Sequence, residues 1–216
     1  MLENVFDPED PVWELLMPPL NKLWEILLDV PAIVAALAAL PRKDASADPW
    51  VHPSAVITDS YLAPGVRVYE GCTVRESVIL NGTTIGHASE IARSIILPDC
   101  MVPRFNYVGS SLLGRGVNLG GATQIASMRY DRAPIRLQLP GGEVETRRTK
   151  YGSLLGDGVR VAYGCHVNPG SVIGRNCLIG PHIDWRGYCP PGHSVFLRQR
   201  TFVTRERGRD TFWRGD

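Results

Sequence analysis

Five cysteines and five histidines are the side chains most open to chemistry in this sequence. No two cysteines form a C-x-x-C pair and their number is odd, which argues against a disulfide framework or a zinc site. The histidines are too scattered to predict three ligands to one metal. Cys72, Cys165 and Cys177 could act as nucleophiles or ligands; small buried thiols in a packed stack is the reading their spacing favours. Arg75 and Arg93 stand 18 residues apart. On one face, two guanidiniums would take a phosphate or a carboxylate; apart, they are solvated charges. Arg198, Arg200, Arg205, Arg207, Arg209 and Arg214 crowd the end of the chain, where they either hold phosphates or form a solvated tail.

What would position such residues is a repeat. From Leu155 the aliphatic residues fall at Leu155, Val161, Val167, Ile173 and Ile179, in blocks LGDGVR, VAYGCH, VNPGSV and IGRNCL. A second run gives Leu113, Leu119 and Ile125, and a less regular one Leu62, Val68, Val74, Leu80, Ile85 and Ile91. A period of six fits neither a helix nor a plain alternating strand. It fits short strands separated by tight turns, three per coil of about 18 residues, stacked about 4.8 Å apart. The position four after each anchor holds small or β-branched groups, among them Val66, Cys72, Val78, Ser89, Thr123, Cys165 and Cys177. It should point inward at a corner. The fold class predicted is all-β: a left-handed parallel β-helix of roughly seven coils over 51–197, whose ends need caps.

Two segments break the pattern. Residues 1–50 read as helix and linker: Trp13, Leu16, Leu20, Leu23, Trp24, Leu27 and Leu28 form an i, i+3, i+4 stripe. Pro18, Pro19 and Pro31 should divide it, and the stripe should pack on a coil face, another subunit or a partner protein. Residues 128–150 interrupt the hexads: Ile135 to Leu139 alternates, Pro140-Gly141-Gly142 turns and Val144 to Arg148 returns. That spacing predicts a β-hairpin or extended loop thrown out from the coils, where function tends to sit. Residues 198–216 are the basic tail.

Lys+Arg 23 against Asp+Glu 22 gives a net charge of +1, no electrostatic case for nucleic acid or an anionic membrane. The apolar run from Pro31 to Leu40 is too short to span a bilayer. With no basic n-region and cleavage pattern, a reduced, cytoplasmic protein is expected.

From Val102 to Asp131 the sequence VPRFNYVGSSLLGRGVNLGGATQIASMRYD resembles the acetyltransferase half of bifunctional sugar-1-phosphate nucleotidyltransferases, including the glucosamine-1-phosphate acetyltransferase/uridylyltransferase. The similarity continues through Arg147 to Ser153 and reaches the N-terminal PVWELL; the nucleotidyltransferase half is missing. The resemblance implies a homotrimer with sites between subunits, and acetyl transfer from acetyl-CoA to the amine of an amino-sugar phosphate. It places Tyr107 and Asn118 in the sugar-phosphate pocket, Arg75 and Arg93 near its phosphate-binding residues, and Asn106, Gln124 and Arg129 around the acceptor. Gly121, Tyr163, Gly164, Gly180 and Pro181 would line the CoA channel, with Arg198 near the CoA phosphates.

The departures bear on the reaction. The family's general-base histidine is Arg104 here, and a guanidinium does not accept a proton at neutral pH. A family asparagine is Ser127, an aspartate is Ser110, and a lysine is Ala133. A replacement base is sought among His87, His166, His182 and Asp184. Arg104, Tyr107, Ser127 and His166 are the candidate catalytic set, and Arg104 suggests an anionic acceptor. Three functions follow: a stand-alone acyltransferase using acetyl-CoA or another acyl-CoA, a catalytically inactive scaffold or binding protein, or the same scaffold hosting different chemistry.

Overall fold

A computed structural model describes residues 2–16, 20–40, 48–139 and 141–198. The linker residues 41–47, Pro140 and the arginines from Arg200 onward lie outside the described residues.

Strands of two or three residues wind into three parallel sheets. The first has eight strands, from Trp50–Val51 to Ser194–Val195. The second has seven, from Val56–Thr58 to Asp184–Trp185, and the third seven, from Tyr61–Leu62 to Tyr188–Cys189. Each strand pairs with the one a full coil away, and every inter-coil pairing is parallel. The anchors Val68, Ile85, Val102 and Leu119 point inward from the first sheet and are buried, as do Val74, Ile91, Val108 and Ile125 from the second. The chain is a parallel β-helix.

The first four coils are one residue tighter than predicted: Trp50 pairs with Arg67, Arg67 with Thr84, Thr84 with Met101 and Met101 with Asn118. The missing residue is at the corner between the second and third sheets. There a single left-handed residue turns the chain: Asp59, Glu76, Arg93 or Ser110. The third-sheet anchor is therefore Ile79 rather than Leu80, and Val78 faces outward. Arg75 pairs with Ala92, not Arg93, which sits one step on at the corner.

The third sheet is apolar on both faces. Its outward column, Val78, Ile95, Leu112, Leu154 and Val172, is as buried as its inward one. The N-terminal segment, with α1 (Val12–Leu16), a 3₁₀ segment (Leu20–Leu28) and α2 (Val30–Ala38), lies over the early strands of this face, and the strand Arg136–Leu139 of the interruption lies against Val172–Ile173. Asp29 caps α2 through Ala32 N–H, and Pro31 stands in its first turn, where its missing N–H costs nothing. α2 touches the strands Tyr61–Leu62 and Val78–Ile79. The Tyr151 hydroxyl donates to the Trp24 carbonyl at 3.0 Å. Ahead of α1, Asp10 takes a bidentate contact from Arg115, 2.7 and 3.0 Å, and Asp157 accepts the Asp7 and Arg115 N–H groups.

The interruption carries the strands Arg136–Leu139 and Gly142–Glu145 as an antiparallel hairpin, closed at its neck by a Met128–Lys150 bridge. The hairpin is not thrown out into solvent. Ile135, Leu137 and Thr146 are buried against the coils, and Gln138 N–H donates to Gly170 O at 3.1 Å. Among the described residues no helix is long and apolar enough to cross a membrane.

Candidate functional site

The turns between the first and second sheets stack into one corner. Backbone hydrogen bonds tie Glu70 to Ala88, His87 to Phe105, Arg104 to Ala122 and Gly121 to Gly164, each carbonyl accepting from the coil above. Tyr163 O accepts from His182 N–H in the same way. Arg104, Gly121, Tyr163, Gly164 and Pro181, drawn from four separate stretches of the chain, thus share one ladder. Glu70, His87 and His182 belong to it too. The Arg104 side chain is exposed and has no polar partner among the described residues.

Backbone strain gathers along this corner. Ala88, Phe105, Ala122 and His182 hold φ of 53°, 61°, 58° and 56°, a left-handed conformation that costs side-chain-bearing residues roughly 1–2 kcal/mol each. A residue as bulky as Phe105 is rarely held there.

The glycines of the expected channel are glycines for different reasons. Gly164 needs its φ of +66°, and a Cβ on it would meet His182 Nδ1 at 2.8 Å. A Cβ on Gly180 would press Phe196 and Val195 O at 3.0 Å. Gly121 has neither constraint: its nearest neighbours would be Arg104 O and Cγ, at 3.5 and 3.6 Å. Its missing side chain leaves open floor between Arg104 and Tyr163.

Beside this corner, on the outer face of the second sheet, Tyr107, Gln124, His166 and Asp184 pair in register and form one column. Tyr107 lies down over Gly109. A Cβ on Gly109 would meet the Tyr107 hydroxyl at 2.6 Å and Ser127 Oγ at 2.9 Å, so Gly109 makes room for the ring and Ser127 flanks its polar end.

Other expected site residues are placed elsewhere. Asn106 is buried inside the corner, its Oδ1 accepting from Thr123 N–H at 2.8 Å and its Nδ2 donating to Pro103 O at 3.0 Å. It fills the same inward position as Cys72, Ser89 and Thr123, so it braces coils and does not reach a ligand. Asn118 projects from the first sheet, away from the Tyr107 column. Arg129 is tied to Asp131. Arg198 is exposed just beyond the last strand.

Arg75 and Arg93 are neighbours, Arg93 N–H donating to Arg75 O, yet each guanidinium has its own acid. Arg75 Nη2 meets Glu90 at 2.7 Å, and Arg93 Nη1 approaches Glu76 at 3.6 Å. Arg93 Nε is buried without a partner among the described residues. Arg93 lines a pocket of about 260 Å³ with Ser110, Arg148, Thr149 and Lys150, roofed by Leu27 and Leu28. This pocket was not legible, because it joins three distant stretches of chain.

The cysteines are all buried and unpaired. Cys72, Cys100, Cys165 and Cys177 each donate to a carbonyl of the neighbouring coil at 2.9–3.1 Å. Burial pushes the Cys100 thiol up to about 12, which removes the thiolate a nucleophile needs. Among the described residues no three His, Cys, Asp or Glu side chains group to hold a metal ion.

Residues 46–125 match the family model described as GlmU-like, C-terminal hexapeptide. The bifunctional protein GlmU of Methanococcus vannielii is 32% identical over 130 residues, 57% of this chain and 31% of that protein. The bifunctional sugar-1-phosphate nucleotidylyltransferase/acetyltransferase of Sulfurisphaera tokodaii is 30% identical over 105 residues, 49% of this chain and 26% of that protein. The chain thus spans no more than about a third of these relatives' length. Among solved structures it is similar to the acetyltransferase domain of PglB from Neisseria gonorrhoeae in complex with acetyl coenzyme A. That likeness has 17% identity, covers 76% of this chain and 60% of that one, and gives a TM-score of 0.33.

Proposed function

We propose that this chain is an acyl-CoA-dependent acyltransferase acting on an anionic amine, an amino-sugar phosphate or a carboxylate-bearing amine. The observation that carries the reading is the open floor at Gly121, set between an Arg104 without a polar partner among the described residues and an exposed Tyr163, on the corner of a β-helix whose residues 46–125 match a GlmU-like hexapeptide model. The thioester arm of acetyl-CoA or another acyl-CoA would run along this corner past Gly164 and Pro181, with Arg198 near its phosphates. The acceptor would lie over Tyr107, Gln124 and Ser127. Arg104, which cannot serve as a base, would hold the acceptor's anion by a charge-assisted contact. A homotrimer, with a neighbouring subunit closing each corner, belongs to the same proposal.

A second reading, an inactive scaffold or binding protein, draws on Arg75 and Arg93 being neutralised by Glu90 and Glu76. The two are separated by thiol release from acetyl-CoA across glucosamine, its 1- and 6-phosphates and acidic amines. Turnover with any of them supports the enzyme. Binding of acetyl-CoA without turnover on the whole panel supports the scaffold.

A further inference from the structure

An acyl transfer to an amine needs a base, and the corner supplies one a single coil from Arg104. His87 Nδ1 stands 3.2 Å from Glu70 Oε1. A carboxylate at that distance attracts a proton on Nδ1, and the tautomer that carries it there leaves the Nε2 lone pair free, as a proton acceptor requires. The His87 ring is further fixed edge-on against Phe105, with centroids 5.4 Å apart. Phe105 is itself held in a strained left-handed conformation by the corner, and its N–H donates to the His87 carbonyl at 2.9 Å. The charged groups on the rungs either side of His87 are Glu70 and Arg104.

None of the other four histidines is prepared in this way. His52 Nδ1 meets the Ser54 hydroxyl at 2.8 Å, and His193 Nδ1 the Pro191 carbonyl at 2.9 Å. His182 stacks edge-on against Tyr163. The ring of His166 has no hydrogen-bond partner among the described residues and stands exposed in the Tyr107 column.

We propose that His87, oriented by Glu70, is the general base of the acyl transfer, an inference that rests on the acyltransferase reading above. The amine nitrogen bonds to the thioester carbonyl carbon and its proton passes to His87 Nε2. The C–S bond then breaks, and the coenzyme A thiolate leaves and takes that proton from the imidazolium. Amide and free thiol are the products, and nothing beyond the two substrates enters the balance. His87 is the catalytic residue and Glu70 a positioning residue.

The test titrates the full chain, labelled with ¹⁵N-histidine, with acetyl-CoA while calorimetry follows binding. His87 is expected to show the Nδ1–H tautomer, and its Nε2 resonance to move on saturation while those of His52 and His193 stay. Glu70→Gln is expected to abolish the tautomer bias without changing acetyl-CoA affinity. With glucosamine 1-phosphate as acceptor, His87→Gln is expected to lower kcat by about 100-fold or more at an unchanged KM for acetyl-CoA. If acetyl-CoA binds and the His87 resonance does not move, or His87→Gln turns over at the wild-type rate, the assignment of His87 is overturned while the acyltransferase reading stands. If glucosamine 1-phosphate is not acetylated, the resonance decides alone. Absence of any acetyl-CoA binding would instead remove the acyltransferase reading itself.

Discussion

Gly109 shows how a single residue sets the geometry of the second sheet's outer face. Its missing Cβ is what lets the Tyr107 ring lie flat with its hydroxyl beside Ser127. Gly109→Ala places a methyl 2.6 Å from that hydroxyl, and the tip of a side chain yields more readily than backbone. The variant should keep its melting temperature within a few degrees and lose about tenfold or more in kcat/KM, since a misplacement of about 1 Å can cost up to about 100-fold. An unchanged kcat/KM in Gly109→Ala would show that Tyr107 stands outside the site. The buried thiols make a second test at this scale. Cys100 titrates at about 12 when folded, against 9.0 when exposed, so the unfolded chain releases that proton first. The contribution is present below pH 9 and is lost as pH rises from 9 towards 12. Denaturant midpoints should fall across that window, and native protein at pH 8 should resist a thiol-specific reagent that titrates all five cysteines after unfolding.

At the scale of elements, the N-terminal segment acts as a cover. From Val78 to Val172 the outward column of the third sheet is apolar, and each of those side chains contributes roughly 1.5–3 kcal/mol while it stays dry. Removing residues 1–40 should therefore yield protein that binds a hydrophobic dye and aggregates, with the coils' circular dichroism retained. The Asp10–Arg115 contact holds the start of this cover. Arg115 keeps the Asp10 carboxyl below the usual carboxylate range, so its stabilisation is present above about pH 4 and lost as pH falls through the lowered value. Arg115 is partly exposed, and Asp10→Asn should cost only about 1 kcal/mol at neutral pH, read from denaturant midpoints. Pro31 and an apolar stripe made the helical pieces legible, while Pro18 and Pro19 lie outside the described residues. The face they cover was not, because in the sequence the column Val78, Ile95, Leu112, Leu154 and Val172 hides beside the inward anchors, where an aliphatic pair such as Ile95-Ile96 reads as one anchor with a spare.

For the whole molecule, the six-residue period and the inward corner position were enough to give the β-helix, because no other fold repeats an aliphatic residue that way. Register was harder. The one-residue turns at Asp59, Glu76, Arg93 and Ser110 shorten each early coil and look in sequence like irregular hexads. That shift hid the pairing of Glu70 with His87, which stand 17 residues apart, one tightened coil. It also made Asn106 look like a ligand contact when it braces a corner. The seat proposed for the acyl thioester is the whole corner, from Arg104 to Pro181. Calorimetric titration with acetyl-CoA tests it most directly, comparing wild type with Gly121→Trp, which fills the floor between Arg104 and Tyr163. Saturable binding by the wild type is expected, with loss of at least about tenfold in affinity for the variant. No binding at millimolar acetyl-CoA, or equal binding by Gly121→Trp, would contradict it.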